Sequence, residues 1–144
     1  MVSEICREYH LRKEKQMPLF PVSVNLSAQD FDHANMYEEI SEILKKNAVP
    51  VDALIIEITE ENLAKATTNF REQIDAFQKS GFKIWVDDFG SAYSSLNVFT
   101  RYHFNLIKFD QGLIGHLTKE NKVIVEYMIQ AAKCLNYETL CEGV

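Results

Sequence analysis

Cysteine, proline and glycine are all scarce in this chain, at 3, 3 and 5 residues of 144. Cys6, Cys134 and Cys141 have neither the paired spacing of a zinc site nor the even count of a disulfide framework. Cys134 and Cys141 fall on a predicted helix and a predicted strand, where reduced core cysteine is expected. No apolar run is long enough to cross a bilayer, and the N-terminus lacks a signal-peptide pattern. The expectation is therefore a cytoplasmic chain without membrane contact of its own, or the cytosolic part of a larger, membrane-attached protein. Positive charge is also short, with 15 Lys and Arg against 21 Asp and Glu, a formal net charge of -6. That balance argues against a DNA or RNA polymer as partner. An anionic ligand would need a metal or a local positive site. No low-complexity segment or linker interrupts the chain, and 47% hydrophobic residues suffice for one globular core.

What is present is alternation. Residues 1–15 predict a charged helix with Ile5, Cys6, Tyr9 and the stem of Arg12 along one side. Val22–Ser27 reads as a strand that finishes on an asparagine, Asn25, a residue that a turn alone would explain. Asn35 resembles a helix N-cap with Glu38 three residues on, and Met36, Ile40, Ile43 and Leu44 stripe the helix that follows. Ala53–Thr59 is an apolar strand carrying Glu57, and Leu63, Ala66, Phe70, Ile74 and Phe77 stripe a helix that Gly81 stops. Asn105–Asp110 is a further strand with Lys108 at its middle. The last helix begins near Thr118, turns Val123, Ile124, Tyr127, Met128, Ala131 and Leu135 inward, and ends with Asn136 in a left-handed cap. A strand at Glu138–Val144 follows. Strands near residues 21, 53, 83, 105 and 138, separated by helices, predict an α/β chain with a parallel sheet of βαβ units.

The stretch Phe82–Leu96 organises the rest. It opens as a buried strand, and period-two alternation puts Trp85 and Asp87 on one face and Ile84 and Val86 on the other. It ends in adjacent carboxylates, Asp87 and Asp88, before a glycine-bearing turn and a helix from about Tyr93 to Arg101. Two carboxylates that close repel unless a proton or cation sits between them, and oxygen-rich sites suit Mg²⁺ or Mn²⁺. Taken alone, the pair serves equally well as a helix-start cap. Glu60 and Glu61, at the junction of the preceding strand and its helix, invite that same capping explanation. Glu57 is different, because a carboxylate within an apolar strand is costly without a partner. Lys108 needs a carboxylate, a phosphate or a shifted pKa for the same reason. Asn25, Glu57, Asp87, Lys108 and Glu142 all fall at or near the ends of successive strands. A (β/α)₈ barrel builds its active site at that face, so the recurrence points to a site.

These blocks, in this order, resemble a known family. Asn25-Leu26-Ser27, Glu57-Ile58-Thr59-Glu60, Asp87-Asp88-Phe89-Gly90 with Tyr93-Ser94-Ser95-Leu96, Lys108-Phe109-Asp110 and Glu142-Gly143-Val144 are similar to the EAL family of cyclic di-GMP phosphodiesterases. The resemblance runs from near Cys6 to the last residue. It implies a portion of a modified (β/α)₈ TIM-like barrel, with about five βα units present and residues 1–144 forming a partial EAL domain. The opening strand with the Glu-Ala-Leu motif and the closing strands are expected to lie outside the chain, which by itself is expected to be inactive. The implied reaction is hydrolysis of cyclic di-GMP to linear pGpG by a two-metal site holding Mg²⁺ or Mn²⁺. Residue by residue, Asn25, Glu57 and Asp87 would bind one metal, and Asp87 and Asp88 the second. Lys108 would sit beside the attacking water, Glu142 would act as its base, and Glu60 would steady the loop after Asp88. The resemblance further implies cyclic di-GMP as partner, additional signalling domains in the parent protein, and compatibility with a homodimer.

Two positions depart from the family pattern. Ala92 stands where a glycine is usual, at a cost of roughly 1 kcal/mol if that position needs positive φ. Trp85 stands where a small inward residue is usual. These departures keep a second reading in view, a catalytically degenerate cyclic di-GMP receptor or partner-docking module. A Schiff-base lyase using Lys108 is a third reading, opposed by the surrounding carboxylates.

Overall fold

The computed structural model describes residues 1–90, 101–115 and 118–141. The elements are helix α1 (Val2–Glu14), strand β1 (Val22–Asn25), helices α2 (Ala28–His33) and α3 (Met36–Lys46), strand β2 (Leu54–Thr59), helices α4 (Glu60–Ala64) and α5 (Thr68–Lys79), strands β3 (Lys83–Phe89) and β4 (Leu106–Phe109), helices α6 (Gln111–Gly115) and α7 (Lys119–Cys134), and strand β5 (Glu138–Cys141). Among the described residues the strands form one sheet in chain order, β1-β2-β3-β4-β5. The pairs β3–β4 and β4–β5 are parallel. The α/β alternation expected from the sequence is the architecture observed. No described helix is long and apolar enough to cross a membrane.

The chain divides into two compact units, one of Met1–Ile56 with Ala66–Lys83 and one of Glu57–Lys65 with Ile84–Val144. The first unit is built around phenylalanine. Phe31 packs on Phe70 at 4.4 Å between ring centroids, and Phe77 meets Tyr37 and Phe82 edge-on at 5.4 and 5.0 Å. Phe31, Phe70 and Phe77 are fully buried with Ile40, Leu44 and Ile74. Such a cluster adds edge-to-face attraction to the burial of large apolar area. Its one polar intrusion is Gln73, whose amide donates to the carbonyls of Phe31 and Ala34 and to Asn69 Oδ1 while accepting from the Tyr37 N–H. Helix starts are capped as the residue types require: Asn35 accepts from the Glu38 N–H, and Thr67 from the Phe70 N–H.

In the second unit β4 is buried along its whole length, as a parallel strand covered on both faces should be. Phe89 and Phe109 pack edge-on at 5.9 Å, and Phe104 lies 5.8 Å from Tyr137, whose hydroxyl donates to the Tyr102 carbonyl. Asn136 takes positive φ after α7, and Gly81 does so after α5, as the sequence predicts.

Several local expectations change. The single helix expected through Leu63 and Phe77 is two, α4 and α5, because Thr67 adopts extended geometry and starts a new helix with its own hydroxyl. The first strand does finish on Asn25, as expected, and Ser27 then caps α2 in a reciprocal box with Asp30. The inward line of α7 is Val125 and Ala132, with Met128 and Ile129 half-buried, while Val123, Ile124, Tyr127 and Leu135 are exposed. Cys134 and Cys141 are likewise exposed, and the buried cysteine is Cys6, where burial pushes the thiol pKa up. The helix expected from Tyr93 lies, apart from Arg101, outside the described residues, as do Ala92 and the Tyr93-Ser94-Ser95-Leu96 block.

Candidate metal and phosphodiester site

Three charged side chains of the second unit, each on a different strand, meet in the interior. Lys108 leaves the middle of β4 and its Nζ donates to Glu57 Oε1 on β2 at 2.6 Å. The same ammonium lies 3.1 Å from Asp87 Oδ1 on β3. Neighbouring strands lie roughly 4.8 Å apart, so Lys108 must cross β3 to reach β2. Register makes this possible. Trp85 pairs with Leu106 and Val86 with Ile107, so Asp87 and Lys108 continue the Trp85–Leu106 face. Glu57 and Lys108 are 4% and 8% exposed, which is tolerable for a carboxylate and an ammonium only as partners.

A bulge then separates the two aspartates. Pairing shifts between Val86 and Phe89, so that Phe89 lies opposite Phe109. Asp88 supplies the extra residue, with φ of +54°, and its N–H donates to Asp87 Oδ1 at 3.0 Å. The extra residue returns Phe89 to the buried face, where it packs on Phe109, while Asp87 stays half-buried and Asp88 is exposed. A regular strand would place Phe89 on the Asp87 face. The bulge therefore joins an aromatic core to a carboxylate-bearing strand end.

The turn after it is held from two sides. Glu60, fully buried at the start of α4, accepts the Gly90 N–H at 3.0 Å. Gly90 has φ of +93°, and a methyl there would run into the Leu113 side chain of α6. Asp110 caps that short helix by accepting the Gly112 N–H at 2.8 Å. The role of Glu61 is different, since it pairs with Lys65 at the surface.

Glu57, Asp87 and Lys108 are thus brought together, with Asp88 adjoining Asp87 and Glu60 bonded to the following turn. Asn25 ends β1 in the first unit and is exposed. Glu142 lies outside the described residues. Sequence reasoning treated Glu57 and Lys108 as two separate buried charges and missed that each answers the other across 51 residues. Their opposite signs within apolar strands were the available signal. Leu113 was missed outright, because nothing local marks a leucine that packs on a glycine.

As a cation site the arrangement fits a hard ion. Glu57 and Asp87 offer carboxylate oxygens that already converge on one positive charge, the Lys108 ammonium, without a thiolate or imidazole between them. Among the described residues no three His, Cys, Asp or Glu side chains gather closely enough to hold a metal alone, so further donors must complete the set.

The family model for the EAL domain matches residues 1–144. The bifunctional diguanylate cyclase/cyclic di-GMP phosphodiesterase MucR of Pseudomonas aeruginosa is 31% identical over 149 residues, covering 100% of this chain and 21% of that protein. The cyclic di-GMP phosphodiesterase PdeR of Escherichia coli is 25% identical over 146 residues, covering 100% of this chain and 22% of that one. Among solved structures, the MucR phosphodiesterase in complex with cyclic di-GMP superposes with a TM-score of 0.83 at 28% identity, over 99% of this chain and 63% of that one. The manganese and cyclic di-GMP complex of Klebsiella pneumoniae BlrP1 shares the fold, with a TM-score of 0.82 at 24% identity over 99% of this chain and 37% of that one. The chain spans about a fifth of the length of these curated relatives.

Proposed function

Since this chain belongs to the EAL domain family, we propose that it contributes the metal-binding and phosphodiester-cleaving strands of a domain that hydrolyses cyclic di-GMP to linear pGpG. The observation that carries this reading is the convergence of Glu57, Asp87 and Lys108 from three adjacent strands. Asn25, Glu57 and Asp87 would hold one divalent ion, Mg²⁺ or Mn²⁺, and Asp87 with Asp88 a second. When bound, such a pair neutralises the phosphodiester and makes a water more acidic. In this reading residues 1–144 are part of the domain, and further strands supply the remaining donors.

The chain's own residues do the rest. Glu142 takes the proton of the attacking water as a new bond forms between the water oxygen and phosphorus. The ester bond breaks, its oxygen takes up a proton from solvent to become a free hydroxyl, and the ring opens to the linear dinucleotide. Lys108 orients the water and offsets charge that grows on the phosphoryl oxygens. Glu60 fixes the turn beyond Asp88, through its bond to Gly90, so that both aspartates keep their aim. A cytoplasmic place of action and additional signalling domains in the whole protein belong to the same proposal, and a homodimer is compatible with it.

The test is pGpG formation from cyclic di-GMP by the full protein with Mg²⁺ or Mn²⁺, beside a Glu142→Gln variant that keeps size and removes the base. Turnover should fall by about 10²–10⁴-fold while cyclic di-GMP binding survives. Binding without turnover in the unaltered protein would favour the receptor reading. Turnover indifferent to Glu142→Gln would place the base elsewhere.

A further inference from the structure

The Lys108 ammonium sits where the two buried-strand carboxylates point. It lies 2.6 Å from Glu57 Oε1 and 3.1 Å from Asp87 Oδ1, so one compact positive charge answers both. Its side chain is 10% exposed, beside 5% for Glu57 and 22% for Asp87, so water screens these contacts little. A hard divalent ion takes carboxylate oxygens at about 2.0–2.1 Å. It would seek the same two oxygens, and an ammonium held at its present distances from both would lie within a few ångströms of a doubly charged ion. At that range like charges repel strongly in a partly dry interior. The lysine and the metal therefore compete for the same carboxylates.

We propose that Lys108 is a displaceable counter-cation built into the site. It neutralises Glu57 and Asp87 by its own contacts, and a divalent ion binds by taking those contacts over as the ammonium withdraws. The consequence is a trade set by one residue: Lys108 stabilises the chain when no metal is present and weakens the affinity for metal. The inference rests on the reading of Glu57 and Asp87 as metal donors. It differs from a role in positioning, in which Lys108 would hold the carboxylates ready and so strengthen metal binding.

The full protein is stripped with EDTA, and Mn²⁺ binding is measured by calorimetry together with the melting temperature with and without Mn²⁺. Lys108→Met keeps the length and apolar stem and removes the charge. The expected result is a lower melting temperature than the unaltered protein in EDTA, a larger rise on adding Mn²⁺, and Mn²⁺ affinity tighter by about tenfold or more, which corresponds to about 1.4 kcal/mol. Lys108→Gln, which retains a hydrogen-bond donor to Glu57 without charge, should shift the affinity in the same direction and serves if the methionine variant does not fold. Weakened or unchanged Mn²⁺ affinity in whichever variants fold would overturn the proposal while leaving the metal reading intact. A melting temperature in EDTA that rises on loss of the lysine charge would also overturn it. No Mn²⁺ binding by the unaltered protein would overturn the metal reading itself, and this inference with it.

Discussion

In the unit formed by Met1–Ile56 and Ala66–Lys83, the buried polar side chain among the described residues is Gln73, a neutral amide whose two ends are both hydrogen-bonded. In the unit formed by Glu57–Lys65 and Ile84–Val144 the buried polar side chains among the described residues are Glu57, Glu60 and Lys108, all of them ionisable. An amide that meets carbonyls and an N–H recovers most of what it loses in leaving water. Burying ions is far more costly, and a hydrophobic replacement of similar volume is often at least as stable. Backbone geometry divides in a related way. Positive φ in the first unit occurs at Gln16, Ala48 and Gly81, each just after a helix end, where such residues close the last turn. In the second unit Asn136 does the same, but Gly90 takes positive φ in the turn after β3 and Asp88 takes it inside that strand, between a carboxylate and the core. Strain and buried charge gathered in one place are better explained by function than by stability. The first unit therefore buries neutral groups around its phenylalanines, whereas the second gathers the buried charge.

That division can be broken by experiment. The largest effect should come from Phe77→Ala in the first unit, which removes the ring that meets Phe31, Tyr37 and Phe82. A loss of about 3–5 kcal/mol in denaturant unfolding is expected. Mn²⁺ affinity of the protein that remains folded should not move, and a clear change there would dissolve the distinction between the units. A smaller effect, about 1–3 kcal/mol, is expected for Gly90→Ala in the second unit, from positive φ and the collision with Leu113. Here Mn²⁺ binding should weaken as well, since the turn adjoins Asp88. Adding Leu113→Ala should return part of the stability, because it relieves the collision and leaves the φ cost. A double variant no better than Gly90→Ala would mean that the collision is not what matters.

The smallest effect concerns Asp30 in the first unit. The Ser27 hydroxyl and then the Ser27 backbone N–H donate to its carboxylate and hold its pKa below the usual carboxylate value. A depressed folded-state pKa means that the folded chain binds the proton less readily than the unfolded one. The contribution is therefore fully present above the unfolded value of about 4 and is lost as pH falls through the folded value. Asp30→Ala should lower stability by on the order of 0.5 kcal/mol near neutral pH, typical of an exposed carboxylate at a helix start. The gap to the unaltered protein should close in acid unfolding curves. A gap constant with pH would assign the effect to the side chain's helix-forming tendency instead of its charge.

The alternation of strands and helices was legible in the sequence because it follows from local spacing: apolar runs that end at Gly81, a cap at Asn35, a left-handed residue at Asn136. The burial of Glu57 was legible too, since an acid inside Leu54-Ile55-Ile56 and Ile58 has little chance of reaching water. The face of α7 was not. Apolar residues from Val123 to Ala132 occur on most sides of that helix, so periodicity alone allowed more than one inward line, and packing within the unit selected Val125 and Ala132. Nor did spacing reveal the break before Thr68, because the apolar stripe runs on through it while Thr67 restarts the backbone. The union of Lys108 with Glu57 and Asp87 belongs wholly to tertiary structure. It requires β4 to lie beside β3 and β3 beside β2, with Asp87 and Lys108 on one face. Local sequence determines which residues can occupy a strand, whereas the order and register of strands depend on contacts between distant segments, and those contacts decide which charges meet.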